Sequence, residues 1–207
     1  MKRRSLLLLA FLCWTNALFG ASYHALFFSY EGANKNLPRK SHTFATFVKV
    51  EQRRASFDVE SVTISWGPSN QKVRALRRRA QEGVNSSLIS TVNDALRTGF
   101  LLDSWGPYEI SKEIYDRAVI QEGRLKAGKI GYKVLDEKFR PFALNCIHAV
   151  SDIFGHLETG TLRGSDATKK VVNTFKQTRQ LGARNTAPLD LFSALDIENV
   201  RFRKHDR

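Results

Sequence analysis

The residue best suited to chemistry in this chain is Cys146, in the apolar segment 144–150. The segment predicts the start of a helix, where the partial positive charge of the helix N-terminus favours a thiolate. The thiolate is the reactive form of cysteine, so a Cys146 that is paired with an imidazole at this helix start should have a pKa well below the ordinary value of about 8.5, whereas burial in apolar surroundings acts in the opposite direction. A lone cysteine on an apolar helix face is also a common core residue, so the thiol alone does not decide between the two.

A base for this thiol has to come from another part of the chain. His148 lies two residues beyond Cys146 on the same predicted helix, so it points to a different face. His42 opens a predicted strand directly after a loop, and a histidine at a strand end can reach a helix that packs on the sheet. His42 is therefore placed with the geometry that a Cys–His pair needs. Structural or solvated positions account for the three other histidines, which are His24, His156 and His205.

The N-terminus of the chain has the layout of a secretory signal peptide. Lys2-Arg3-Arg4 supplies a positively charged start, and an apolar run follows at residues 6–14. Small residues between Ala17 and Ala21 predict cleavage there, so residues 1–21 form the predicted signal. The apolar run is too short for a helix that spans a bilayer, although an uncleaved N-terminal anchor is an alternative. We therefore expect an exported protein, in the periplasm or outside the cell.

Cleavage would leave Cys146 as a single thiol, because Cys13 lies inside the apolar run of the predicted signal. A single cysteine cannot form an internal disulfide. In an oxidising compartment it calls for an explanation, either an intermolecular disulfide or a reactive thiol. No group of His, Cys, Asp and Glu residues has the spacing of metal ligands, so we expect neither a metal nor another cofactor.

The composition is strongly basic. Thirty-three Lys and Arg residues oppose 20 Asp and Glu residues, which gives a formal net charge of +13. The excess is concentrated at residues 74–79 and 201–207. In an exported protein this charge argues against nucleic acid and favours an anionic lipid or an acidic wall polymer as partner. A solvated basic face that keeps the protein soluble explains the charge equally well.

The elements that must position these residues follow from hydrophobic periodicity. Strands are predicted first, at residues 23–30, 42–50 and 59–66. Helices are predicted at residues 73–80 and 88–96, after Ser111, from Cys146 to Gly155 and between Ser165 and Gly182, with one further strand at 132–135. Strands followed by helices, with a strand between helices, indicate an α+β fold. We expect one domain at residues 22–182 and a tail at residues 183–207.

Two short motifs resemble the permuted NlpC-like papain-fold cysteine hydrolases and acyltransferases, in the lecithin:retinol acyltransferase branch. Ser41-His42 before an apolar strand is similar to the Ser-His strand of these proteins. Tyr132 and the later Asn145-Cys146-Ile147-His148-Ala149-Val150 are similar to their Tyr…Asn-Cys-Glu-His-Phe-Val segment. The order agrees as well, because in the permuted fold the histidine precedes the cysteine. Ile147 and Ala149 depart from the family pattern, which has glutamate and an aromatic residue there.

The resemblance implies a permuted papain-like fold, with a small antiparallel sheet against helices, in which Cys146 is the nucleophile and His42 the base. It also implies that a polar residue on the following strand orients the imidazole. Because the hairpin brings the end of that strand beside the start of the histidine strand, we expect Ser65 to take this role. Backbone N–H groups at the start of the cysteine helix, beside Asn145, would hold the oxyanion.

Two classes of function are compatible with these features. The first is an exported cysteine hydrolase or acyltransferase that acts on an amide, ester or peptide bond of an envelope peptide, lipid or acyl substrate through a thioester. The second is a non-catalytic envelope-binding module that keeps the fold and uses its basic face. The presence of both Cys146 and His42 favours the enzyme, because a binding module needs neither. The sequence does not indicate an oligomeric state.

Overall fold

The structure, a computed structural model, describes residues 20–32, 41–74, 78–136, 138 and 142–205. Most of the predicted signal peptide lies outside the described residues, as do residues 75–77 of the basic segment and the last two residues of the chain. Across the described residues, every helix is too short or too polar to span a lipid bilayer.

The described residues form nine strands and five helices. The strands are β1 (Ala21–Glu31), β2 (Ser41–Gln52), β3 (Phe57–Ile64), β4 (Trp66–Pro68), β5 (Gln81–Asn85), β6 (Leu101–Glu109), β7 (Gly131–Tyr132), β8 (Ala143–Leu144) and β9 (Arg203–Lys204). The helices are α1 (Leu88–Arg97), α2 (Lys112–Lys126), α3 (Cys146–Ser151), α4 (Gly164–Gln177) and α5 (Leu191–Ala194). Helices that pack on largely antiparallel strands make the architecture α+β, as the sequence predicts.

The main sheet has five strands in the order β3-β2-β1-β6-β9. Strands β1, β2 and β3 form an antiparallel meander, whose β-branched and aromatic residues alternate between the two faces of the sheet. Strand β6 pairs antiparallel with the other side of β1, and the short β9 pairs parallel with β6. The sheet is therefore antiparallel through four strands and mixed at its β9 edge.

Both faces of the main sheet are buried, and each carries its own hydrophobic core. On one face, Phe27, Phe47 and Ile64 pack with side chains of α2, α3 and α4. On the other face, Phe28 and Phe44 stack with ring centroids 5.1 Å apart and pack with α1 and the C-terminal segment. We name these the α3 face and the α1 face.

The segment predicted as a C-terminal tail packs on the α1 face. Three of its aliphatic side chains are buried in that core, namely Leu191, Leu195 and Ile197. Arg203 in β9 donates hydrogen bonds of 2.8 and 2.7 Å to the buried carboxylate of Asp103 in β6. His205 is exposed, as predicted, and its ring also contacts Asp103 and stacks on Trp105 with centroids 4.7 Å apart.

A second sheet, in the order β4-β5-β7-β8, forms because the chain leaves the main sheet after β3. Strand β2 pairs with β3 only from Ala45 onward, so residues 41–44 form an edge that no described strand covers on that side. Trp66 in β4 donates a 3.2 Å hydrogen bond to the carbonyl of Leu144 in β8. The second sheet thereby holds the start of α3 near the uncovered edge of β2.

Two parts of the local structure differ from the sequence prediction. The helix predicted at 73–80 is wrong for its described residues, none of which is helical, and the Gln81 side chain bonds the carbonyl of Lys72 and the N–H of Arg74. Basic residues without acidic partners one turn away also disfavour a helix there. Strand β6 is not predicted, because Gly106-Pro107 in its middle is typical of a turn. An irregularity in the β1–β6 pairing accommodates the proline.

Candidate active site

His42, the predicted base, lies at the start of β2 with its side chain on the α1 face. Its ring packs against Tyr30 and Phe44, with ring centroids 5.2 and 5.7 Å away. Its Nε2 atom is 2.9 Å from the Oγ atom of Ser65. Ser65 directly follows β3, so the hairpin of β2 and β3 brings the two residues together.

A chain of hydroxyl groups sets the direction of the hydrogen bond between His42 and Ser65. The Thr91 hydroxyl on α1 donates to the carbonyl of Ser87 at 2.8 Å, because a carbonyl can only accept. The single proton of Thr91 is then used, so the Ser65 hydroxyl, 2.7 Å away, donates to Thr91. Ser65 can then only accept from His42, which assigns the imidazole proton to Nε2 and leaves Nδ1 as the basic nitrogen.

Asn85 in β5 fixes the backbone position of Ser65. Its Oδ1 accepts a 2.8 Å hydrogen bond from the N–H of Ser65, and its Nδ2 donates a 2.7 Å bond to the carbonyl of Thr63. The asparagine side chain thus replaces the strand pairing that is lost where the chain leaves the main sheet.

Cys146, the predicted nucleophile, is the first residue of α3 and belongs to the core of the α3 face. Its side chain is a free thiol and is buried. The sulfur faces the backbone N–H groups of Thr43, Cys146 and Ile147, which favour the thiolate. Because Thr43 follows His42 in β2, the thiol lies at the uncovered edge of β2, one residue along the strand from the predicted base.

The thiol and the imidazole approach this edge from opposite faces of the sheet. No hydrogen bond between Cys146 and His42 is found among the contacts of the described residues. The sheet does not separate the two groups, because β3 has already left and residues 41–44 of β2 form the edge itself. Both side chains therefore border the same gap.

Two cavities meet at this gap. His42 lines a cavity of about 320 Å³ on the α1 side, and Cys146 lines a cavity of about 100 Å³ on the α3 side. Three residues line both cavities, namely Ser41, Val73 and Tyr132. The two cavities therefore adjoin, and we name them together the groove.

Burial makes the neutral forms of both groups the stable ones. It raises the pKa of the Cys146 thiol to about 11, although three backbone N–H groups act in the opposite direction. It lowers the pKa of His42 to about 4. The expectation of a low thiol pKa is therefore wrong. Helix α3 has only six residues, and desolvation of the thiolate outweighs what its N-terminus contributes.

Four N–H groups at the start of α3 lack a partner within the helix, and each of them faces another acceptor. The N–H of Asn145, the N-cap residue, donates to Asp136 at 2.8 Å, and the N–H of His148 donates to the Asn145 side chain at 2.8 Å. The two N–H groups between them belong to Cys146 and Ile147 and face the sulfur. An oxyanion bound beside the sulfur would meet these two donors, an arrangement that stabilises tetrahedral intermediates.

A buried carboxylate–imidazole pair lies next to the nucleophile. Asp136 and His148 are each 1% exposed, and Nδ1 of His148 is 2.7 and 2.8 Å from the two carboxylate oxygens. Asp136 also accepts a 3.1 Å bond from Nδ2 of Asn145, and Nε2 of His148 is 3.3 Å from the Thr159 hydroxyl. His148 therefore packs within a network and does not serve Cys146 as base, as its position two residues away predicts.

Three residues of these networks were not predicted from the sequence, namely Thr91, Asp136 and Thr159. Asp136 lies in an irregular stretch between β7 and β8, where no periodicity marks a buried position. For Thr91 a signal does exist, because a polar residue on the apolar side of a helical pattern needs a hydrogen-bond partner.

The described residues contain no group of three or more His, Cys, Asp or Glu side chains that could hold a metal ion. Comparisons with family models, with curated proteins and with solved structures found no match to this chain.

Proposed function

We propose that this chain is an exported cysteine hydrolase or acyltransferase of the cell envelope, with Cys146 as nucleophile, His42 as base and Ser65 orienting the imidazole. One observation carries the proposal. The Cys146 sulfur faces the N–H of Thr43, the neighbour of a histidine whose proton is assigned to Nε2 by a chain of hydroxyls. A thiol, a neutral base and two backbone donors thus border one groove, as thioester chemistry requires.

The order of elements supports a permuted papain-like fold of the NlpC type within the α+β class. The histidine strand β2 precedes the cysteine helix α3, as the resemblance of the motifs implies. An antiparallel meander packs against that helix, and the residue that contacts the imidazole comes from the end of the next strand.

The reaction starts from a neutral thiol. As the sulfur bonds to the carbonyl carbon of the substrate, its proton moves to Nδ1 of His42, and the carbonyl oxygen becomes an oxyanion that accepts from the N–H groups of Cys146 and Ile147. Collapse expels the leaving group, which takes the proton from His42 and leaves a thioester. Water or an acceptor alcohol or amine then attacks the thioester, passes its proton to His42 and restores the thiol.

Substrate has to shorten the distance between thiol and imidazole. Proton-transfer partners in unliganded enzymes are often farther apart than in the substrate complex. Ser65 accepts from the Nε2–H of His42 in both protonation states, so the imidazole keeps its orientation while Nδ1 gains and loses the proton. The final acceptor of the hydroxyl chain is the carbonyl of Ser87, so no carboxylate takes part.

A second candidate is a non-catalytic module that binds anionic lipid or acidic wall polymer on the envelope. The pKa of about 11 for Cys146 favours it, because a neutral thiol is a weak nucleophile. A basic segment beside the groove favours it as well. Four exposed side chains form its described part, namely Lys72, Arg74, Arg78 and Arg79.

Acetylation by 4-nitrophenyl acetate tests the first candidate against the second. The full chain, with Cys13 replaced by serine so that only Cys146 can react, should release one equivalent of 4-nitrophenolate in a burst and carry one acetyl group on Cys146 in peptide mapping. Cys146→Ala should show no burst. His24→Gln is a matched control, because His24 is also buried but lies at the far end of the β1–β2 pair, and it should keep the burst. A chain without acetyl-Cys146 would leave the binding module as the better function.

A further inference from the structure

We infer that Asp136 is a positioning residue for Cys146: it fixes the start of α3 so that two backbone N–H groups converge on the sulfur. Its catalytic meaning rests on the proposed function. Asp136 touches neither the sulfur nor the groove, so it acts through the residues that it binds, which are Asn145 and His148.

The network of Asp136 ties together three walls of the Cys146 cavity. The stretch after β7 is the first, because Nδ2 of Asn145 donates both to Asp136 and to the carbonyl of Val134 at 3.2 Å. Helix α3 is the second, held through the N–H of Asn145. The third is the loop at residues 160–164, which follows Thr159, the partner of Nε2 of His148. Each wall would lose a fixed contact without this network.

The hydrogen bonds of Asp136 and Asn145 occupy the first and last of the four N–H groups of the turn. The two between them, of Cys146 and Ile147, therefore face the sulfur. The carboxylate takes the N–H of Asn145, and the Asn145 side chain takes the N–H of His148. Charge-assisted hydrogen bonds to a buried carboxylate are short and strongly oriented. A loosened Asn145 would let the turn rotate, and the N–H groups of Cys146 and Ile147 would no longer point at the sulfur.

Two effects of Asp136 on the thiol have opposite signs, which makes the inference testable. The carboxylate charge raises the pKa of Cys146, whereas each of the three backbone N–H groups lowers it by more. The other ionisable groups that face this region are Tyr30 on β1, His42 on β2, Tyr132 on β7 and Arg163, which lines the Cys146 cavity before α4. A variant that lost only the charge would have a more acidic thiol, and one that lost the geometry would have a less acidic thiol.

The experiment measures alkylation of Cys146 by iodoacetamide in the full chain with Cys13→Ser, at a temperature where all variants are folded by circular dichroism. Asp136→Asn has one acceptor oxygen in place of two, so it cannot accept from both the N–H and the Nδ2 of Asn145, and it should loosen the start of α3. It should slow alkylation at pH 8 by roughly tenfold, which corresponds to a rise of about one pKa unit. Asp103→Asn is the matched control, because Asp103 is also buried and hydrogen-bonded but lies in β6, which β1 separates from β2, and it should leave the alkylation rate unchanged.

Faster alkylation of Asp136→Asn would mean that only its charge acts on the thiol, and an unchanged rate would mean that Asp136 merely supports the fold. Either result overturns the inference. If Asp136→Asn does not fold, Asn145→Ala removes one of the contacts of Asp136 and should still slow alkylation by a smaller factor, and an unchanged rate there also overturns it. Absence of acetyl-Cys146 in the wild type would refute the proposed function alone, since alkylation needs no acyl transfer.

Discussion

Two polar networks meet at the uncovered edge of β2, and they are built from different chemical groups. The network on the α1 face holds His42 through hydroxyls only and ends on the carbonyl of Ser87. The network on the α3 face holds His148 through the carboxylate of Asp136. Both imidazoles are buried; His148 is two residues from Cys146 along the chain, and His42 is the neighbour of Thr43, whose N–H faces the sulfur.

The difference separates two tasks that one catalytic triad often combines. A carboxylate bound to an imidazole fixes orientation firmly, and breaking such a buried pair is costly. A hydroxyl fixes the tautomer without adding charge, so the imidazole stays neutral and can accept a proton at its other nitrogen. In this chain the Asp136–His148 pair has the geometry of support, whereas the histidine without a carboxylate is the proposed base.

The largest effect is expected when the proposed base is removed from the hydroxyl network on the α1 face. His42→Gln removes the basic Nδ1 atom, and we expect acetylation of Cys146 by 4-nitrophenyl acetate to slow by about 10²–10⁴-fold, the usual contribution of general-base catalysis. The measurement is the rate of the 4-nitrophenolate burst, normalised to the folded fraction. A His42→Gln rate within threefold of wild type would remove His42 from the mechanism.

The next effect concerns stability on the α3 side. His148→Leu leaves the buried Asp136 carboxylate without its imidazole, and we expect the free energy of unfolding to fall by about 3–5 kcal/mol. Ser65→Ala in the other network removes neutral hydrogen bonds and should cost only about 1–3 kcal/mol. Urea unfolding of both variants measures the contrast. Equal losses would mean that the two networks do not differ in the way proposed.

Acid should lower the free energy of unfolding through His42 on the α1 face. Burial lowers the pKa of His42 from 6.5 to about 4, so between these pH values the unfolded chain binds a proton that the folded chain does not. Stability therefore falls as the pH falls through this window, by about 1.4 kcal/mol per pH unit at most from this residue.

Urea unfolding at pH 7 and pH 5 checks the slope. His42→Gln should lose the part that His42 contributes and keep the part from His24, whose pKa burial also lowers. If the free energy of unfolding changes equally with pH in both proteins, burial does not lower the pKa of His42.

The smallest effect is expected when the hydroxyl chain that selects the tautomer of His42 is interrupted. Thr91→Val removes the acceptor of the Ser65 proton, which can then turn to Nε2 of His42 and favour the tautomer protonated on Nδ1. We expect acetylation to slow by about tenfold, equivalent to about 1.4 kcal/mol. Thr91→Ser keeps the hydroxyl and should match wild type. A Thr91→Val protein that is as fast as Thr91→Ser would show that the hydroxyl chain does not select the tautomer.

The neighbourhood of His42 could be predicted because it follows from regular structure. The β2–β3 hairpin has a continuous alternating pattern, and its register brings Ser65 to the start of β2. The N-cap position of Asn145 also follows from local sequence, because an asparagine before an apolar run is typical of a helix start. The catalytic roles of these residues stay predictions.

The remaining features depend on tertiary burial, which a local pattern does not encode. Asp136 finds its partners from an irregular stretch, so neither its burial nor its contact with His148 could be predicted. The thiol pKa depends on how much protein surrounds Cys146, and this term exceeds the effect of the helix start. Strand β6 escaped prediction because its pairing tolerates a Gly-Pro pair that usually ends a strand.

The C-terminal segment that closes the α1 face has a consequence for synthesis. Phe28 and Phe44 belong to strands made early, but residues 189–202, which cover them, follow much later in the chain. A nascent chain folds in N-to-C order, so the β1–β2–β3 meander emerges with one apolar face open to water. The α1 face therefore stays incompletely buried until residues 189–202 and β9 have been translated. In a protein proposed to be exported, such a delay keeps the chain incompletely folded, so that it can still pass through a membrane channel.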